Sequence, residues 1–123
     1  MRISQVILFV LCFIFATQFA HAQTNSAALI DVRISVVDAN GAKVGGAVVS
    51  VYDTQDDYNN DSNPLISGTT SSRRGRVEFV GSIIKQRTNP YYFRVTLNGQ
   101  NQSCSVNSFT VTSTLVEVST AIQ

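Results

Sequence analysis

From Ile30 to Val36 apolar and polar residues alternate at every step, with Ile30, Val32, Ile34 and Val36 on one side and Asp31, Arg33 and Ser35 on the other. A period of two is the mark of a half-buried strand. Asp38-Ala39-Asn40-Gly41 follows, and its Asn-Gly pair tolerates the positive φ of a tight reversal. Beyond it Ala47, Val49 and Val51 make a second apolar face. The spacing predicts strand, turn and strand over Ile30 to Asp53, a hairpin that opens a half-buried antiparallel sheet. Further strands are predicted at Leu65 to Thr70, Arg76 to Val80, Tyr91 to Leu97, Gln102 to Val106, Phe109 to Val111 and Leu115 to Thr120. Ser71 to Gly75 and Asn98-Gly99 supply reversals between them. Gly81 to Pro90 reads as a connector whose Ile83 and Ile84 fold over the open end. No stretch holds a helical period. About seven short strands with turns between them predict an all-β fold, a single antiparallel two-sheet sandwich of the immunoglobulin-like kind.

The first residues change the picture of what reaches that fold. Arg2 precedes the apolar run Val6 to Ala16, about half the ~20 residues needed to span a bilayer as a helix. Ala20-His21-Ala22 then offers small residues where a signal peptidase reads. The expectation is a secretory signal peptide at 1–22, a short flank at 23–28 and a β-sandwich domain at 29–123. Cys12 lies inside the apolar run with no small residue before it, which is wrong for a lipid anchor. No later stretch approaches spanning length. The product is expected to be secreted, periplasmic or at the cell surface, with no membrane span after cleavage.

Charge and cysteine content exclude several classes. The nine Lys and Arg include Arg2, so the processed chain balances its eight Asp and Glu. A protein that lives on phosphate contacts carries a basic excess, so nucleic acid is not an expected partner. Cys104 is the single thiol left after processing, which allows no internal disulfide. It is expected as a small apolar residue buried on a strand, the alternative being a disulfide to a second molecule.

Candidate chemistry is sparse. The irregular stretch Asp53 to Pro64 is read as a solvated loop. Its Asp53, Asp56, Asp57 and Asp61 are the candidate ligands for Ca²⁺, the only cofactor the sequence brings into view. Their spacing is not that of an EF-hand. Arg73, Arg74 and Arg76 are a basic cluster able to meet an acidic glycan or a carboxylate. Tyr52, Tyr58, Arg73 and Arg74 are the candidate ligand-binding residues. Asn60-Asp61-Ser62 and Asn101-Gln102-Ser103 fit a glycosylation acceptor pattern. His21 leaves with the signal, so no Ser-His-Asp or Cys-His arrangement can be built, and zinc lacks its preferred ligands. The chain is not expected to be an enzyme, and no catalytic residue is assigned.

The run Val36 to Val51 resembles the opening of carboxypeptidase regulatory-like and transthyretin-like domains: a strand, an Asp-x-x-Gly turn, then a Gly-Ala-x-Val strand. Thr69-Thr70 leading through Gly75 into Val77-Glu78-Phe79 is similar to their next hallmark, and Tyr91 to Leu97 to their aromatic strand. Lys43 stands where that family often has proline. The resemblance implies a prealbumin-like sandwich that serves as a binding, spacer or assembly module. Its hydroxyisourate hydrolase branch relies on histidines and a C-terminal Tyr-Arg-Gly-Ser. This chain ends Ser119-Thr120-Ala121-Ile122-Gln123. The related collagen-adhesin domains place an isopeptide lysine just before the first turn, where this chain has Ser35-Val36-Val37. Neither property is expected. What remains is a non-catalytic module that binds protein or glycan at the cell envelope, or self-associates through sheet edges. The alternative is a calcium- or carbohydrate-binding domain using the Asp53–Asn63 loop.

Overall fold

A computed structural model of the chain describes residues 28–123. The expected signal peptide and its cleavage site, with Cys12, lie outside them. Eight strands and one short helix follow in order: β1 (Ile30–Val37), β2 (Val48–Tyr52), α1 (Gln55–Asn60), β3 (Ile66–Thr69), β4 (Arg76–Gly81), β5 (Tyr91–Leu97), β6 (Gln100–Gln102), β7 (Ser108–Phe109) and β8 (Leu115–Ala121). A three-stranded sheet has the order β4-β1-β8. A five-stranded sheet runs β3-β2-β5-β6, with β7 also paired to β5. The predicted two-sheet β-sandwich is present.

The alternating runs supply its interior. Val32, Ile34 and Val36 from β1 meet Val49 and Val51 from β2, Phe93 and Val95 from β5, and Val77 and Phe79 from β4, all of them buried. Burying a Val, Ile or Phe side chain contributes about 1.5–3 kcal/mol, so this layer is the main source of stability.

Three expectations are corrected. First, β1 and β2 do not form a hairpin; they lie in different sheets and face each other across the core. The Asn40-Gly41 reversal does form, with Asp38 Oδ1 accepting from the amides of Asn40 and Ala42 at 2.9 Å and Gly41 at φ +84°. After the bridge Val37↔Lys43, however, Val44 to Gly46 lead the chain over to the second sheet. The turn residues are compatible with either path, and the intervening residues decide it. Second, the sandwich is not wholly antiparallel. β8 runs parallel to β1, from Asp31↔Leu115 to Val37↔Ala121. Third, the stretch read as an irregular loop contains α1. Thr54 Oγ1 caps it by accepting from the Asp57 amide at 3.1 Å, Asp56 and Asp57 sit in its first turn, and Asp61 ends it at φ 49°. These are favourable helix-end arrangements.

Smaller departures concern the later strands and the connector. The predicted Gln102–Val106 strand is displaced to β6, leaving Cys104 half-buried with a single bridge to Ile122. Ile84 is buried, as expected of the connector, whereas Ile83 is half exposed.

Phe93→Ala leaves a void between both sheets and is expected to cost about 3–5 kcal/mol of unfolding free energy. Val80→Ser, on the exposed face of β4, is expected to stay within about 0.5 kcal/mol of wild type. Denaturant melts of the two variants check both; equal losses would mean that Phe93 is not part of the core.

Candidate functional site

Two surface regions gather the polar side chains singled out in the sequence. The first lies on the outer face of the five-stranded sheet. Tyr52 points there, opposite Val49 and Val51, yet it is only 1% exposed because α1 packs over it. The Tyr58 ring, from α1, meets the Tyr52 ring edge-on at 5.9 Å and lies 6.0 Å from that of Tyr92. The Arg94 guanidinium sits 4.4 Å from the Tyr58 centroid and also donates to the Tyr58 carbonyl. Tyr52 donates its hydroxyl proton to Asp61 Oδ1, and Arg94 Nε lies 3.7 Å from the same oxygen. Burial first, then the bond to Asp61, pushes the Tyr52 phenol above its ordinary range, with Arg94 pulling it back in part.

This is a fastening. A six-residue helix is marginal alone, and the aromatic and charged contacts hold it to the sheet. Asp53 is similarly engaged: Arg87 pairs with its carboxylate and donates to its carbonyl at 2.7 Å, while lying 3.6 Å from the Tyr91 ring centroid. The four candidate calcium ligands are therefore spread out. Asp53 and Asp61 are tied to arginines, and Asp56 and Asp57 sit in the first turn of α1. Among the described residues no group of three or more His, Cys, Asp and Glu could hold a metal ion.

The second region lies at the other end of the molecule. β2 pairs with β3 from Val51↔Ile66 to Val48↔Thr69, so Tyr52 lies near the start of β3 while Arg73 and Arg74 follow its end. The candidate residues Tyr52 and Tyr58 are thus not brought together with Arg73 and Arg74. What the fold places beside Arg74 instead is Lys43, Arg76, Ser35, Val37 and Ser119, around a shallow concavity of about 400 Å³. Arg76, Ser35 and Ser119 are one row across the smaller sheet, by the register Ser35↔Arg76 and Ser35↔Ser119. The adjacent row is Glu78, Arg33 and Glu117. Arg33 sits within 3.4 Å of each of Asp31, Glu78 and Glu117. The hydrogen bond to Asp31, the largest influence, raises its pKa further. Among the described residues no carboxylate pairs with Lys43, Arg73, Arg74 or Arg76.

Sequence reasoning found the arginines of the turn but not Lys43 or the two serines. Lys43 lies thirty-one positions before Arg74, and only its replacement of a common proline set it apart. Asn60 and Asn101 are both exposed. Burial pushes the Cys104 thiol above its ordinary range, with a hydrogen bond involving Thr120 pulling the other way. No helix among the described residues is long and apolar enough to cross a membrane.

No protein-family model matches the chain, and no curated protein does. Solved structures do. A streptococcal ancillary pilin matches at 12% identity and a TM-score of 0.54, over 80% of this chain and 33% of its own. The TIE protein of Bacillus anthracis matches at 15% identity and a TM-score of 0.49, over 78% and 17%. The shaft pilin SpaA of Lactobacillus rhamnosus GG matches at 12% and 0.46, over 77% and 48%. The chain therefore spans less than half the length of each. The ancillary pilin shares the β-sandwich fold.

Tyr52 holds its proton more tightly folded than unfolded, where the ordinary value is about 10. Its contribution is therefore fully present below pH ~10 and lost as pH rises through the raised folded value. Denaturant melts should show stability falling in that alkaline window, and Tyr52→Phe should flatten the fall while costing about 1 kcal/mol at neutral pH. Identical alkaline slopes in the two proteins would rule out the buried phenol–carboxylate bond.

Proposed function

We propose that this chain is exported and works without catalysis, as a β-sandwich that binds or assembles with partners at the cell surface or in the periplasm. The observation that carries the reading is the fold shared with a streptococcal ancillary pilin, taken with the leader-like pattern of residues 1–22. The resemblance to carboxypeptidase regulatory-like and transthyretin-like domains points the same way, since such sandwiches serve as binding, spacer or assembly modules.

The sheet edges suit such a role. β8 is an edge of the smaller sheet, and the segment 103–105 covers it only near its end, through Ser105 N to the Ala121 carbonyl at 2.9 Å and Gln123 N to the Ser103 carbonyl at 2.8 Å. Upstream, the outer side of Val116 to Ser119 offers amides and carbonyls to a further strand, which is how sheet edges recruit partners or second copies. Protein or glycan at the envelope is the expected class of partner. The glycan arm is favoured by the uncompensated cations around Ser35 and Ser119.

Fractionation of expressing cells tests the reading. The expected result is a protein whose first residue is Gln23, recovered outside the cytoplasm. A cytoplasmic protein that keeps residues 1–22, or substrate turnover by the purified domain, would overturn it.

A further inference from the structure

We infer that the concavity formed by Lys43, Arg74 and Arg76 with Ser35 and Ser119 is a binding site for an anionic polysaccharide, whose sulfate, phosphate or carboxylate groups the cations receive. The inference gives a ligand class to the surface-binding reading above and rests on it for the setting in which such a polymer is met.

The site is built by the fold rather than by sequence proximity. Lys43 comes from the crossing between the sheets, Arg74 from the β3–β4 turn, Arg76 and Ser35 from paired strands, and Ser119 from β8. Two glycines let the turn and the crossing touch. A Cβ on Gly45 would stand 2.6 Å from Ser72 Cα, and one on Gly75 would stand 2.8 Å from the Val44 amide and 2.9 Å from the Val36 carbonyl. Gly75 also holds φ +57°, a conformation that side chains with a Cβ rarely adopt. Backbone bonds lock the same junction: Val36 N to the Gly75 carbonyl at 2.8 Å, Val44 N to the Val36 carbonyl at 2.9 Å and Gly46 N to the Thr70 carbonyl at 3.0 Å. Arg74 and Arg76 are thereby held beside Lys43.

Gathering three like charges costs free energy, and among the described residues no carboxylate forms an ion pair with them to offset it, Glu117 lining only the adjoining hollow beside Arg76. An incoming polyanion would. Arginine forks suit oxyanions with two or three oxygens, lysine supplies a point charge, and the serine hydroxyls add donors and acceptors for sugar hydroxyls. The concavity is open, and Val37 is its one apolar lining residue, so it offers no pocket for the side chains of an acidic peptide. Its residues span the outer face of the smaller sheet from β4 across β1 to β8. The neighbouring Glu78 and Glu117 repel an anion in that direction, which confines the chain of charges to the end bearing Lys43 and Arg74.

The test is calorimetric titration of the processed protein with dextran sulfate and with polygalacturonate, alongside neutral dextran and polyglutamate. Wild type should bind one or both charged polysaccharides, bind neutral dextran not at all, and lose affinity as salt rises. K43S and R74S should each weaken binding by about fivefold or more, and R74S/R76S should weaken it further. K85S removes the same charge from outside the concavity and should leave affinity unchanged. Thermal melts confirm that each variant is folded; should the arginine variants fail to fold, K43S against K85S still decides. Equal losses in K43S and K85S would reduce the effect to net charge and overturn the site. Absence of binding to both charged polysaccharides would overturn it outright, and tighter binding of polyglutamate would transfer it to an acidic polypeptide. None of these readouts depends on where the cell places the protein, so this site can fail while export stands, and export can fail while the site stands.

Discussion

The structure depends on two strands facing each other instead of lying side by side. β1 and β2 carry the most fully buried aliphatic residues, and the chain between them crosses from one sheet to the other. Once Val32, Ile34 and Val36 must meet Val49 and Val51 across an interior, the remaining strands have little freedom. β4 extends the sheet of β1, β3 and β5 flank β2, and the large rings of Phe79 and Phe93 fill the space between the layers. Close packing of this kind tolerates neither a void nor a register slip, because a slip of β1 by one residue would carry Asp31, Arg33 and Ser35 into the core in place of Val32 and Ile34.

The outer faces of the two sheets are treated differently. On the larger sheet α1 covers Tyr52, and the contacts among Tyr58, Tyr92, Arg94 and Asp61 leave those charges spent within the molecule. On the smaller sheet Arg33 stitches the three strands through Asp31, Glu78 and Glu117, but one row further along the compensation stops. A chain with a formal net charge of only +1 thus presents an uneven surface. Its whole-chain balance, which argues against nucleic acid, says nothing about where the unpaired cations collect.

Much of the fold was legible, because alternation depends only on which side chains are apolar. Seven of the eight strands fall on or within two residues of the predicted runs, and the inward residues of β1, β4 and β5 are those the period of two picks out. What alternation cannot carry is pairing. A strand that runs parallel to its neighbour reads like one that runs antiparallel, so β8 was misplaced in direction. A turn of Asp-x-Asn-Gly reads the same whether the chain comes back or crosses over. The helix was missed because six residues span fewer than two turns, too short for a period, although Thr54 and Asp57 stood at capping distance. The candidate site suffered from the same gap. The tyrosines and arginines are individually conspicuous, but only the register of β2 with β3 shows that they belong to opposite ends, and only the crossing brings Lys43 to Arg74.

The parallel pairing of β1 and β8 has a mechanical consequence. β1 begins, and β8 finishes, at opposite ends of one continuous ladder from Asp31↔Leu115 to Val37↔Ala121. Tension applied at Ile30 and Ala121 in opposite directions runs along both strands, so their hydrogen bonds are loaded together in shear instead of being peeled one after another. A tether strung through these two points would resist stretching until the whole ladder gave way at once.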